Sequence, residues 1–142
     1  MRRGPVSLVA VCLGVALVVG VVAAVDLRRL QTPRGTALAW TGAAVFGDCT
    51  AYRELSLTPD DAAPDDERCL ELRRQTEDAR SRAGEVSIEL LSVQEGSDRA
   101  EAVVRVRRPR EPEREVTLDL RPRGDGWAVV LSQETCAVLA CP

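Results

Sequence analysis

The chain has 142 residues, a formal net charge of −3, and no His, Lys or Asn. These absences remove the commonest general base, Schiff-base chemistry, the P-loop cation and every N-glycosylation site. From Pro33 onward 15 Arg stand against 21 Asp plus Glu, leaving −6, which argues against nucleic acid as a general partner. Using Arg for every cation, with abundant Ala, Val and Gly, reads as coding bias in a high-GC bacterium.

Met1-Arg2-Arg3 is followed by Val6 to Val25, which carries no charge. Twenty residues at 1.5 Å each span about 30 Å, the hydrocarbon thickness of a bilayer. No polar face interrupts the run, as one would on a surface helix. The segment is therefore expected to be an uncleaved transmembrane signal-anchor. Cleavage at Val22-Ala23-Ala24 is the rival, but the apolar run is long for a signal peptide. A lipoprotein reading fails because Val11, not a small residue, precedes Cys12. Residues 1–31 thus form a cytoplasmic stub and anchor. Residues 32–142, about 110, are the size of one domain that can fold without metal or cofactor.

Thr32-Pro33 starts a helix, with Thr as N-cap and Pro in the first turn. Ala37, Leu38, Trp40, Thr41, Ala44 and Val45 follow at helical spacing, and Gly47 stops the run. Asp48 caps a second short helix, Asp48 to Leu55. Ser56 to Asp66 reads as a loop. Its acidic cluster, Asp60, Asp61, Asp65, Asp66 and Glu67, lacks the central Gly and spaced Glu of an EF-hand loop, so a solvated loop is expected rather than a calcium site. One helix is expected from about Pro64 to Ala83, ended by Gly84.

From Glu85 the period becomes two. Val86, Ile88 and Leu90 alternate with polar residues, and Leu91 and Val93 shift phase as at a bulge. Ala100, Ala102, Val104 and Val106 form a second strand, and Val116, Leu118 and Leu120 a third. Gly124-Asp125-Gly126 is a hairpin signal before a fourth strand carrying Trp127, Val129 and Leu131. Gln133 to Pro142 is a short tail. The order predicts an α+β fold: a transmembrane helix, then two to three helices on a four-stranded antiparallel meander.

Four cysteines fall in the domain: Cys49, Cys69, Cys136 and Cys141. An even number beyond an export signal reads as two disulfides. Of three connectivities, Cys49–Cys69 and Cys136–Cys141 are favoured. Zinc is disfavoured because Cys49 and Cys69 are not a closely spaced pair and no His can substitute. No Cys-x-x-Cys redox motif is present. Disulfides place the domain outside the cytosol and break the tie left by positive charges on both sides of the anchor.

Helices before a meander, with Thr-Pro-x-x-x-Ala at Thr32, Gly-Asp-Cys-x-x-Tyr at Gly47 to Tyr52, and Gly126-Trp127 in the closing strand, resemble the NTF2-like (cystatin-like α+β cone) superfamily. More narrowly, they resemble small single-pass anchored proteins of high-GC Gram-positive bacteria. The resemblance covers Thr32 to about Glu134. It implies a cone whose mouth can hold a small ligand, in a superfamily with both enzymes and binding modules.

Asp48 and Tyr52, one helical turn apart, are the candidates for a base and an oxyanion donor. The competing and favoured reading makes Asp48 a cap and Tyr52 a core residue. Trp40 and Trp127 likewise read as core anchors before a ligand platform. These four residues mark the candidate pocket. From Arg99 to Arg123, eight Arg meet five acids, a strip that either faces an acidic partner or lipid headgroups or pairs internally. The expectation is a module without catalytic residues, metal or cofactor, bound to the membrane through Val6 to Val25 and to a protein partner at the cell envelope. Its N-terminus is placed in the cytoplasm and its domain outside.

Overall fold

A computed structural model describes residues 31–139. The Val6 to Val25 segment lies outside them, as do Cys12 and Cys141. No helix among the described residues is long and apolar enough to cross a membrane.

Helix α1 is Pro33–Phe46. Thr32 caps it, its Oγ1 accepting from the Gly35 N–H at 3.1 Å. Ala37, Trp40 and Ala44 line its fully buried face, and the small Ala residues let the backbone lie close to the sheet. Gly47 closes it at φ 70, in the left-handed region that glycine adopts without strain. A Cβ there would also overlap Thr76 Oγ1. Helix α2 is Cys49–Glu54, capped by Asp48, whose carboxylate accepts from the Ala51 N–H at 3.2 Å.

Two further helices replace the single one expected from Pro64 to Ala83. Helix α3 is Asp66–Gln75 and helix α4 is Glu77–Ser81, with a 3-10 turn at Ala83–Glu85. The break falls at Thr76, whose hydroxyl donates back to the Leu72 carbonyl at 2.8 Å. Such back-bonding bends helices, and here the bend coincides with the close approach of Gly47. Asp65 caps α3, accepting from the Arg68 N–H at 2.9 Å. Asp66 and Glu67 stand in its first turn and Arg73 and Arg74 in its last, each sign where the helix dipole favours it.

The sheet has five strands in the order β1-β5-β4-β3-β2, where β1 is Ser56–Leu57, β2 Ser87–Glu95, β3 Ala100–Arg107, β4 Arg114–Arg123 and β5 Gly126–Val130. The expected meander of four antiparallel strands is therefore corrected to a mixed sheet. Ser56 and Leu57, assigned to a loop from the sequence, run parallel to β5 opposite Val129 and Val130. The Val129 and Leu131 N–H groups donate to the Leu55 and Leu57 carbonyls, each at 2.8 Å. Two residues are too few to carry a period-two pattern, so this strand has no sequence signature.

Strands β2, β3 and β4 follow the predicted alternation, whereas β5 departs from it by burying the consecutive residues Ala128 and Val129. Ala100, Ala102, Val104, Val106, Val116, Leu118 and Leu120 are buried. The pairing steps from Leu90↔Val104 to Ser92↔Val103, leaving Leu91 as the extra residue of a bulge. The β4–β5 hairpin turns at Gly124-Asp125, with Gly124 at φ 59, the positive value that a two-residue hairpin loop with glycine first requires. The tail expected after β5 contains a helix, α5, Gln133–Leu139. Its first turn is held by Ser132 Oγ, which accepts from the Thr135 N–H at 3.1 Å, and α5 packs on β4.

Candidate functional site

Trp40 and Tyr52 meet in the interior between α1, α2 and the sheet. Both are fully buried, and their ring centroids are 5.9 Å apart with planes tilted by 32°. The Trp40 indole N–H donates to Ser56 Oγ at 2.7 Å, so the first residue of β1 satisfies the one polar atom of the largest core side chain. The Tyr52 hydroxyl is buried and makes no hydrogen bond of good geometry. Burial pushes its pKa up to about 12; Arg68 and the nearby Ser56 hydroxyl oppose that rise only in part. Tyr52 is thus a neutral phenol packed in an apolar setting.

Asp48 stands apart from this pair. It is exposed, with its carboxylate committed to the N-terminus of α2. Helical spacing brings the two backbones together, through the Tyr52 N–H and the Asp48 carbonyl at 2.9 Å, while their side chains part, one outward and one inward. Trp127 is partly buried and packs against the edge of the core. None of Trp40, Asp48, Tyr52 and Trp127 lines the groove beside Cys49 and Cys69 or the cavity beside Arg108. Ser56 is the residue that sequence reasoning missed: nothing near it marks a partner for an indole 16 residues away.

Cys49 and Cys69 form a disulfide that ties α2 to α3, with Cα atoms 5.2 Å apart and the partners 20 positions apart in sequence. Cys136 is disulfide-bonded as well, and Cys141, its expected partner, lies outside the described residues. The first disulfide lines an open surface groove of about 530 Å³ together with Ala63, Leu70 and Arg123. Leu70 is 58% exposed. Arg123 ties the groove to the sheet edge by donating to the carbonyls of Glu54 at 3.1 Å and Ser56 at 3.2 Å.

The acidic cluster is dispersed by its partners. Asp61 pairs with Arg121 at 3.6 Å, Asp66 pairs with Arg53, and Asp65 caps α3. The arginine strip is largely paired as well. Arg105 meets Glu113 and Glu115, each at 2.8 Å, and Glu89 at 3.4 Å. Arg107 also pairs with Glu113, and Arg99 with Asp119 at 3.3 Å. The hydrogen bond from Arg107 holds the Glu113 carboxyl below its ordinary range, with the Arg105 and Arg107 charges adding to it.

No protein-family model matches the chain, and no curated protein matches its sequence. Among solved structures, a Campylobacter jejuni protein provisionally described as an NTF2-like transpeptidase superposes with a TM-score of 0.53. The match covers 71% of this chain and 99% of that one, at 18% identity. The fold is NTF2-like. A protein from Thiobacillus denitrificans, described as a calcium/calmodulin-dependent protein kinase type II association domain, gives a TM-score of 0.45 at 14% identity, over 70% of this chain and 90% of that one. A SEC-C motif protein from Rhodopseudomonas palustris gives 0.42 at 18% identity, over 72% and 77%.

Proposed function

We propose that this chain is a membrane-anchored extracytoplasmic module of a high-GC Gram-positive bacterium that acts by protein–protein contact, without catalysis. Val6 to Val25 holds it in the membrane, with the N-terminus cytoplasmic. The observation that carries this reading is the state of the interior. Where a small-molecule site of this fold would need open space and uncommitted polar groups, Trp40 and Tyr52 fill the volume. The Trp40 indole is spent on Ser56 and the Asp48 carboxylate on a helix cap. The transpeptidase description of the structural neighbour does not transfer easily. Such chemistry needs an activated nucleophile, whereas Cys49, Cys69 and Cys136 are in disulfides and the chain has no His. The disulfides support an oxidising compartment.

The alternative is a small-ligand or enzyme-like domain with a pocket near Asp48 and Tyr52. One observation favours it, the buried Tyr52 hydroxyl without a hydrogen bond. Cross-linking in native membranes separates the two. The contact reading expects a protein partner whose capture falls in a Leu70→Glu variant. Capture of no protein, with a small apolar ligand co-purifying with the chain, overturns it. Labelling of intact cells with a membrane-impermeant thiol reagent after reduction tests the compartment: unlabelled domain cysteines place it inside and sink the topology.

A further inference from the structure

We propose that the cavity between the C-terminal end of α1, the α3–α4 bend and the β3–β4 turn binds a short-chain monocarboxylate through Arg108 and Arg82. This cavity, of about 80 Å³, is separate from the Trp40–Tyr52 interior. Its apolar wall is Val45, Ala79 and Val86, and Arg82 and Arg108 supply its cations.

The charges are arranged with cations inward and acids outward. Arg108 is the most buried arginine in any ion pair among the described residues, its side chain 19% exposed. Its pair with Glu111 runs through Nη1 at 3.5 Å, longer than a strong charge-assisted bond. The Arg108 Nε–H is buried and has no partner at all. Arg82, 33% exposed, meets Asp78 at 3.5 Å, and Asp78 is itself 79% exposed. Buried N–H groups in folded proteins almost always find an acceptor, and the Arg108 Nε–H has none.

Asp78 and Glu111 also line the cavity and meet the two guanidinium groups only through pairs of 3.5 Å, so an anion that pairs at shorter distance competes with them. A carboxylate brings two acceptor oxygens, and a short alkyl tail matches the apolar wall. Size sets the upper limit, because a dry cavity that takes benzene is about 150 Å³. Charge sets the class, because Asp78 and Glu111, which also line the cavity, repel a doubly charged oxyanion more strongly than a singly charged one, and such an anion gains nothing from Val45 or Val86.

The test is ligand-observed NMR with sodium propionate on the full chain in lipid nanodiscs. So small a ligand is expected to bind on the order of millimolar. The wild-type chain should bind propionate at least about tenfold more tightly than the neutral isostere propionamide, which lacks the charge-assisted bonds. Arg108→Gln should weaken propionate about tenfold or more, and Ala79→Leu, which keeps both arginines and fills the space, should abolish binding. Arg107→Gln, on the exposed strip, should change nothing. No propionate binding by the wild type, meaning the cavity holds water only, overturns the proposal. So does equal binding of propionamide, or tighter binding of inorganic phosphate. The wild-type arms decide the matter even if a variant fails to fold.

Discussion

The two faces of the sheet are held by different physics. On the inner face Val104, Leu118, Leu120 and Val129 pack against Trp40 and Tyr52 with no exposure. On the outer face Arg105 bridges Glu89, Glu113 and Glu115 while its own side chain stays 26% exposed. Burial acts on the inner face without regard to salt or moderate pH, and a lost methylene is felt there. The outer face depends on charge pairs in water, which are screened and individually weak. The same β-strands thus carry a rigid specification on one side and a loose, replaceable one on the other.

The strongest way to break the inner side is Trp40→Ala. It empties the centre of the core and strips Ser56 of its donor, and we expect a loss of about 3–5 kcal/mol in chemical denaturation. A loss no larger than that of a surface variant would mean Trp40 is not the anchor described. Next comes the Cys49–Cys69 disulfide, which closes a loop of about 20 residues; Cys69→Ser should cost about 3 kcal/mol. Its midpoint in denaturant should become insensitive to reductant as far as this bond is concerned.

Tyr52 gives a pH test of the inner face. Its folded pKa, about 12, is raised from 10.0, so the fold favours the neutral phenol. That stability is fully present below pH 10 and is lost as pH rises toward 12. The chain has one Tyr, so phenolate absorbance reports it alone. Ionisation near 10 in the folded chain would contradict the burial described.

The outer face should yield the smallest effects. Arg105→Gln should move the melting temperature least of these changes, and less still in high salt. Glu113 titrates in the opposite sense to Tyr52. Its folded pKa is depressed from 4.5, so its contribution is present above that value and is lost as pH falls through the folded pKa. A melting temperature that drops sharply for Arg105→Gln would erase the contrast between the faces.

The same contrast explains what could be read from the sequence. The inward residues repeat every second position from Ala100 to Val106 in β3 and from Val116 to Leu120 in β4, long enough for the period to stand out. Thr32, Asp48 and Gly124 announce themselves because caps and tight turns need few residue types. The parts that stayed hidden are set by distant contacts. Strand β1 exists because β5 offers it carbonyl acceptors and N–H donors. The break at Thr76 coincides with the approach of Gly47 from another helix. Asp48 and Tyr52 sat at a catalytic spacing, but spacing along a helix does not say which way each side chain meets solvent. For Tyr52, burial decided; for Asp48, the orphan N–H groups of α2 did.

The bulge at Leu91 has a consequence for assembly. Strand β2, nine residues long, ends one side of the sheet, and a flat strand of that length would offer its free backbone groups to any similar strand it met. The extra residue disrupts the ladder locally and adds twist, and Glu89 and Glu95 bring like charges to two copies laid edge to edge. One inserted residue therefore makes continued growth of the sheet into a fibre unfavourable, at a position where β3 on the other side still pairs along most of its length.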